Sequence, residues 1–330
     1  MERDKNLQDL EVSFKSAFWQ PTASVKRPFV RYPNKEASSG KVWRHSSDDG
    51  PINLSVVIPT SDAYRDGYLL KLLSQIGCQD LSGFELIVVR GDPRQGRAIN
   101  IGAALAQGIY LLTLDDDTSL PDPETFSKLA AVMEASPEIG IAGGNNVIPS
   151  DASAFVHRAM REIPRRSWTP VKGITDSDLA EHPCMIMRTA EFKSIGGENE
   201  LIPRGLDPYL RQAFRDAGFR IVLVPGVIYH HLPPDGWRKL LKQFFRNGRQ
   251  AAYVNRYYPQ WVIETPSKHG AFVLRIPLWQ RILRYPLRLL HTLVAGHWIW
   301  LISQIFYGAG SLFFWITNIR RSHINQGYNV

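Results

Sequence analysis

Three carboxylates stand side by side at Asp115, Asp116 and Asp117, directly after the apolar run IYLLTL at 109–114. Like charges this close repel one another, so something must compensate them. A solvated turn that caps the next helix would do so, and so would a divalent cation with the phosphates it carries. At the end of a strand neighbouring side chains alternate in direction, which lets Asp115 and Asp117 face one site together. Hard carboxylate oxygens suit Mg2+ or Mn2+, and substrate phosphates usually complete the shell of such ions. The pair His230 and His231 follows a later apolar run. Neutral imidazole is a fitting partner for Mn2+. In extended chain the two rings point oppositely, so only one can join a metal site; otherwise they are an ordinary surface or core pair.

The elements that must position these residues follow from the apolar pattern. LSVVIPT (54–60), FELIVV (84–89) and IYLLTL (109–114) are continuous apolar runs, as expected of strands buried on both faces. Between them GYLLKLLSQIG (67–77) has helical spacing, and GRAINIGAALAQG (96–108) predicts an Ala-rich helix closed by Gly108. In PDPETFSKLAAVMEAS (121–136), Asp122 is placed to cap a helix whose first position is Pro123. IGIAGG and FRIVLVP predict later strands. Strands alternating with helices imply an α/β fold with a mostly parallel sheet, and in such sheets ligands sit beyond the carboxyl ends of the strands. The acids at 115–117 lie at such an end.

Five segments in order carry a resemblance. LSVVIPT, FELIVV and GRAINIGAALAQGIYLLTLDDD resemble the opening of family 2 glycosyltransferases of GT-A fold. IGGENE (195–200) resembles that family's Ile-Gly-Gly-Phe-Asp-Glu segment, and GLDPYLRQAFRDAGFRIVLVP (205–225) its Glu-Asp-x-x-Leu helix leading into a strand. The resemblance implies transfer of a sugar from a nucleotide-diphosphate donor, with inversion and with Mn2+ or Mg2+ as cofactor. It sets Pro59 and Thr60 beside the nucleotide, and matches Arg97 and Asn100 to the family's basic residue and Asn on the helix before its Asp-x-Asp motif. Asp115 and Asp117 match that motif, with Asp116 between them at the donor and Asp117 as the direct metal ligand. Asp207 matches the second acid of the Glu-Asp pair, the general base; a helix N-cap before Pro208 fits the same residue. Departures are visible. Arg90 and Gly91 occupy the usual acid positions after the second strand, and Asp92 comes a little late. Leu206 replaces the Glu before Asp207, and Asn199 replaces an Asp.

The net charge of +8 hides an asymmetry: residues 236–330 hold 13 Lys and Arg against one acid, Glu264, while the remainder has 26 bases and 30 acids. Within the basic third, WRKLLKQFFRNGRQ (237–250) sets Trp237, Leu240, Leu241, Phe244 and Phe245 along one stripe, with Lys239, Lys242, Arg246 and Arg249 mostly off it. That is the pattern of an interfacial membrane helix, or of an ordinary amphipathic one. Arg246 and Arg249 also suit a diphosphate. Residues 289–319 contain no Asp, Glu, Lys or Arg, and Arg284, Arg288, Arg320 and Arg321 flank them. That length spans a bilayer as a helix, returns as a re-entrant hairpin, or lies in the interface. The expected organisation is an irregular extension at 1–50, a GT-A domain at 51–235, basic amphipathic helices at 236–285 and a membrane-associated segment at 286–330. The expected partners are a nucleotide-sugar donor, a lipid-linked or glycan acceptor and an anionic membrane surface on the cytoplasmic side.

Other classes fit less well. Two cysteines, Cys78 and Cys184, make neither a disulfide framework nor a zinc site and point to a reducing compartment. The polar start MERDKNLQDLEVSF does not read as a signal peptide. A nucleotidyltransferase normally has a Gly-rich loop with a basic residue straight after its first strand, which PTSDAYRDG does not supply. Nucleic acid is not expected as a partner, because the basic residues are interleaved with a membrane-length apolar run. A non-catalytic membrane-bound scaffold on the same fold remains the other reading.

Overall fold

The computed structural model describes residues 8–12, 40–46, 51–92, 94–163, 169–263 and 277–318. The described strands are β1 (Gln8–Val12), β2 (Gly40–Ser46), β3 (Leu54–Thr60), β4 (Phe84–Arg90), β5 (Tyr110–Thr113), β6 (Ile139–Asn146), β7 (Thr175–Asp176), β8 (Met185–Arg188) and β9 (Arg220–Tyr229). The helices are α1 (Tyr68–Ile76), α2 (Gln95–Leu105), α3 (Thr125–Ala135), α4 (Ala154–Glu162), α5 (Thr189–Ser194), α6 (Leu206–Asp216), α7 (Trp237–Tyr257), α8 (Leu278–Val294) and α9 (Trp298–Thr317).

The strands form one mixed sheet in the order β1-β2-β4-β3-β5-β8-β6-β9-β7. β3 pairs parallel with β4 and β5, and β6 with β9; the remaining pairs are antiparallel. β1 and β2 come from the stretch expected to be irregular and extend the edge beyond β4. The central strands read as unbroken apolar runs because both faces are covered. Val56, Ile58, Leu86, Val88 and Leu112 face a core completed by Leu69 and Leu72 of α1 and Phe126, Leu129 and Met133 of α3. Val57, Ile87, Val89 and Leu111 face the opposite core, with Ile99 and Ile101 of α2 and Leu210 and Phe214 of α6.

Two helix boundaries differ from expectation. Gly108 does not close α2, whose C-cap is Ala106. It lies where the chain passes over β3: a Cβ there would meet the Ser55 backbone nitrogen at 2.6 Å, and its own N–H donates to Ser55 Oγ at 2.8 Å. α3 starts at Thr125; Asp122 instead forms a turn just ahead, accepting from the Glu124 N–H at 2.9 Å.

The C-terminal helices form a further layer. Leu240 and Phe244, from the apolar stripe of α7, are buried against Ala159, Ile163 and Ile299. α7 and α9 cross at backbone contact. A Cβ at Gly248 would meet the Tyr307 carbonyl oxygen at 1.9 Å, and one at Gly310 the Phe245 carbonyl oxygen at 2.0 Å. Glu162 Oε2 accepts from the Ile299 and Trp300 N–H groups at 2.6 and 3.2 Å, which supplies the partners and the negative charge that a helix start favours. α9 has 20 residues, and its most apolar 18-residue window has a mean hydropathy of 1.5, long and apolar enough to cross a membrane. On α8, Trp279, Leu283, Leu287, Leu290 and Val294 form an exposed apolar stripe. Arg320 and Arg321 lie outside the described residues.

Candidate active site

The acidic triplet follows β5 at the carboxyl end of the parallel strands, where Thr118 N–H donates to the Asp115 carbonyl and closes a turn. The turn splits the three side chains. Asp115 Oδ1 accepts from Gln95 Nε2 at 2.8 Å, and Asp115 Oδ2 lies 3.8 Å from His231 Nε2. Asp117 Oδ1 lies 3.3 Å from the same nitrogen. Asp116 turns to the end of β3, where Thr60 Oγ1 donates to its Oδ2 at 2.7 Å. Asp115, Asp117 and His231 thus offer ligand atoms that all lie within 4.8 Å of one another.

The two histidines separate as extended chain requires. His230 forms a bridge with Ser119 through its backbone, and its ring Nδ1 donates to the Val147 carbonyl at 2.7 Å. His231 faces the acids, fixed by its N–H donating to Asn146 Oδ1 at 3.1 Å. Of the two, His231 is the one in the cluster.

Electrostatics distinguish the acids. Burial pushes Asp115 up to about 7; His231 opposes this, and the charge of Asp117 adds to it. Burial also acts against Asp117, but His231 and Arg65 outweigh it and hold that carboxyl well below the usual range. Two carboxylates and an imidazole, with one carboxylate not fully compensated, fit a divalent cation of the Mg2+ or Mn2+ class.

Arg65 is a site residue that the sequence pattern did not single out. Its Nη2 donates to Asp117 Oδ2 at 2.7 Å, and its Nε lies 3.4 Å from Asp116 Oδ1. It sits in a strained loop: Ala63, Arg65 and Asp66 have φ of 60°, 49° and 55°, left-handed values that non-glycine residues seldom adopt. Lys239 of α7 pairs with Asp66 at 3.0 Å, linking this loop to the C-terminal layer. Arg246 is exposed on α7; burial lowers its pKa and repulsion from Arg65 and Arg204 lowers it further, so the three cations share one neighbourhood. Arg249 is exposed on the same helix.

Pro59 precedes Thr60 at the end of β3, and the Thr60 carbonyl accepts from the Gly91 N–H at 3.0 Å. Asp92 and Arg97 pair with each other, Arg97 Nε donating to Asp92 Oδ2 at 2.6 Å, with both residues buried. Asn100 braces the segment at 195–200: its Nδ2 donates to the Glu198 carbonyl at 3.1 Å and to Glu200 Oε1 at 2.8 Å, and its Oδ1 accepts from the Glu198 N–H at 2.8 Å. Gly196 and Gly197, with φ of 89° and 70°, make the turn that this segment needs.

Asp207 does not cap its helix. The N-cap of α6 is Gly205, in the left-handed region at φ 82°, and no side chain caps the start. Pro208 is tolerated in the first turn, where its missing N–H would have no intrahelical partner. Asp207 Oδ1 instead accepts from the His182 N–H at 2.7 Å and from His182 Nδ1 at 2.5 Å. Burial alone would raise its pKa, but His182 and then Arg211 outweigh that and keep Asp207 ionised well below the usual range. Asp207 also acts electrostatically on Asp115, so base candidate and metal candidates belong to one site.

A family model described as Glycosyl transferase family 2 matches residues 73–193. Over that stretch the chain is similar to family 2 glycosyltransferases. The matched stretch runs from α1 through α5, so it includes the acidic triplet and His182 and stops short of Asp207 and His231. Among solved structures, the chain is similar to a mannosyltransferase from Pyrobaculum calidifontis in complex with GDP-mannose and Mn2+. The TM-score is 0.50 at 12% identity, over 81% of this chain and 88% of that one. It is also similar to S. aureus TarS in complex with UDP-GlcNAc, with a TM-score of 0.41 at 16% identity over 61% of this chain and 66% of that one. No curated protein matches the chain significantly in sequence. The fold is of the GT-A type, and the family match together with it supports glycosyltransferase activity.

Proposed function

We propose that this protein is an inverting, metal-dependent glycosyltransferase that moves a sugar from a nucleotide-diphosphate donor to a hydroxyl of a lipid-linked or glycan acceptor. What supports the reading is the Asp115–Asp117–His231 cluster just beyond β5, with Asp207 near enough to act electrostatically on Asp115. Asp117, Asp115 and His231 would hold Mn2+ or Mg2+. Such an ion, when bound, neutralises charge that develops on the leaving nucleotide diphosphate. Pro59, Thr60, Asp92, Arg97, Asn100 and Asp116 line the donor side, and Arg65, Arg246 and Arg249 supply positive charge for its phosphates. Asp207 accepts the acceptor's hydroxyl proton as the oxygen attacks the anomeric carbon. Substitution is direct, so the anomeric configuration inverts in one step.

The protein would work at the cytoplasmic face of a membrane, in reach of a lipid-linked acceptor. Support comes from the exposed apolar stripe of α8, the exposed Arg284 and Arg288 beside it, and the length and hydropathy of α9. Lys and Arg near an anionic leaflet contribute about 1 kcal/mol each. The deciding experiment is a thermal-shift panel of UDP-, GDP- and dTDP-sugars with and without Mn2+, followed by nucleotide release. One donor should stabilise the protein only with the metal present. Stabilisation that persists in excess chelator would overturn the metal assignment, and a bound donor that never turns over would favour the scaffold reading. Flotation with vesicles containing anionic lipid, against neutral ones, tests the membrane assignment.

A further inference from the structure

His182 lies between two carboxylates. Its Nδ1 meets Asp207 Oδ1 at 2.5 Å and its Nε2 meets Glu198 Oε1 at 2.7 Å. Ionised carboxylates only accept hydrogen bonds, so an imidazole placed between two of them must donate from both nitrogens and carry the positive charge. The ring is only 2% exposed, so it cannot reach an acceptor itself. Asp207 is different. Both bonds from His182 fall on its Oδ1, no described residue donates to its Oδ2, and its side chain keeps 30% of its surface open.

The far end of the array is anchored just as firmly. Asn100 holds the Glu198 backbone from both sides, through N–H and carbonyl. Glu198 is itself 1% exposed. Its sequence position is unusual, since it stands where the Ile-Gly-Gly-Phe-Asp-Glu segment has Phe, while Leu206 stands where the Glu-Asp-x-x-Leu helix has Glu. The acid missing next to Asp207 is matched by an acid on the opposite side of His182. Arg211, one turn further along α6, also acts electrostatically on Asp207, and both Asp207 and His182 act on Asp115 across the site.

We propose that His182 is a positioning residue whose imidazolium, anchored by Glu198, orients the Asp207 carboxylate so that Oδ2 faces the acceptor hydroxyl. The proposal rests on the reading of Asp207 as the base. The bond between ring and Oδ1 fixes the plane of the carboxylate, and the positive charge keeps it ionised. Asp207 thus presents one free oxygen in one orientation.

The test uses the full chain and the variants H182N, E198Q and D207N. The first readout is release of GDP from GDP-mannose or UDP from UDP-GlcNAc with Mn2+. H182N leaves an N–H near the Nδ1 position but no charge. Turnover should fall by up to about a hundredfold, the cost of misplacing a reacting group by an ångström. Donor KM should stay constant. The acid limb of the pH–rate profile should move up, because Asp207 has lost its cation. E198Q should shift both in the same direction by less, and it carries the test if H182N does not fold. The second readout needs no substrate: 15N NMR of the histidine rings should show His182 protonated on both nitrogens at a pH above ~6.5, the ordinary imidazole value. A singly protonated ring, or unchanged turnover and profile in H182N and E198Q while D207N is inactive, would overturn the clamp alone. Full turnover in D207N would overturn the base reading, and the clamp with it.

Discussion

Two histidine–carboxylate arrays stand in the same site, and they are built to opposite ends. His231 is 3.3 and 3.8 Å from its two carboxylates and about a quarter exposed. His182 is 2.5 and 2.7 Å from its two and almost fully buried. The residue types are nearly identical. In the open array the distances are too long for strong hydrogen bonds, and burial leaves Asp115 with a pKa near 7. Its ligands share a site that a divalent ion would complete. In the closed array a proton already supplies the positive charge, and two carboxylates together overcome the burial that would otherwise lower the pKa of His182. Spacing and exposure, rather than composition, decide whether such a cluster suits a metal or holds an imidazolium.

This contrast can be broken at either array. The largest effect is expected from Asp117→Ala. Removing the ligand that His231 and Arg65 hold ionised should abolish Mn2+-dependent donor stabilisation and lower turnover on the order of 10³-fold or more, since a catalytic metal supplies several kcal/mol of charge stabilisation. The melting temperature should change little. Retained turnover in chelator would remove the metal from the open array.

Asp207→Asn comes next. Asn still accepts from His182 through one oxygen but is a very poor proton acceptor, so turnover should fall 10²–10⁴-fold with donor binding intact. Loss of donor affinity at normal turnover would make the closed array a donor contact instead.

His231→Ala sharpens the comparison from the other side. Outer partners of metal ligands are worth about 10–100-fold in affinity, so a direct ligand should cost at least that by Mn2+ titration. His230→Ala, whose ring bonds the Val147 carbonyl instead, should leave Mn2+ affinity unchanged.

The smallest expected effect is a slope. The folded-state pKa of His182 is raised well above ~6.5, so its contribution to stability is fully present below that value and fades as pH rises toward the folded pKa. Asp207 is depressed, so its contribution is present above ~3.9 and fades as pH falls. The stability gap between wild type and H182N should therefore be widest between these limits and narrow above pH ~6.5. A gap independent of pH from 5 to 9 would contradict a charged His182.

Much of the frame was legible in advance. The runs at 54–60, 84–89 and 109–114 predicted β3, β4 and β5, because a strand covered on both faces shows an unbroken apolar stretch. The acids at 115–117 were placed correctly beyond those strands. Boundaries were less legible: the passage of Gly108 over Ser55 is a contact between segments more than fifty residues apart, which no local cap pattern encodes. The apolar stripe of α7 was visible, but its partner was not. α9 and α4 cover Leu240 and Phe244, and the exposed stripe lies on α8.

By itself the sequence determined which residue types were available and which end of the sheet they would occupy, because side-chain alternation and strand burial are local properties of the chain. It also limited the two neighbouring histidines to one metal candidate, since extended chain points them apart. Only the tertiary structure chose His231, turned Asp207 from a helix cap to a partner of His182, and brought Arg65 onto Asp116 and Asp117. Each of these rests on a contact across 25 to 116 positions, between His182 and Asp207, Arg65 and Asp117, and Asp115 and His231. Such contacts depend on how strands, turns and helices stack, and side-chain chemistry alone leaves them open. The same histidine and aspartate letters can specify an open ligand cluster or a closed ion pair. The differences of about an ångström in spacing that separate them here are set by packing.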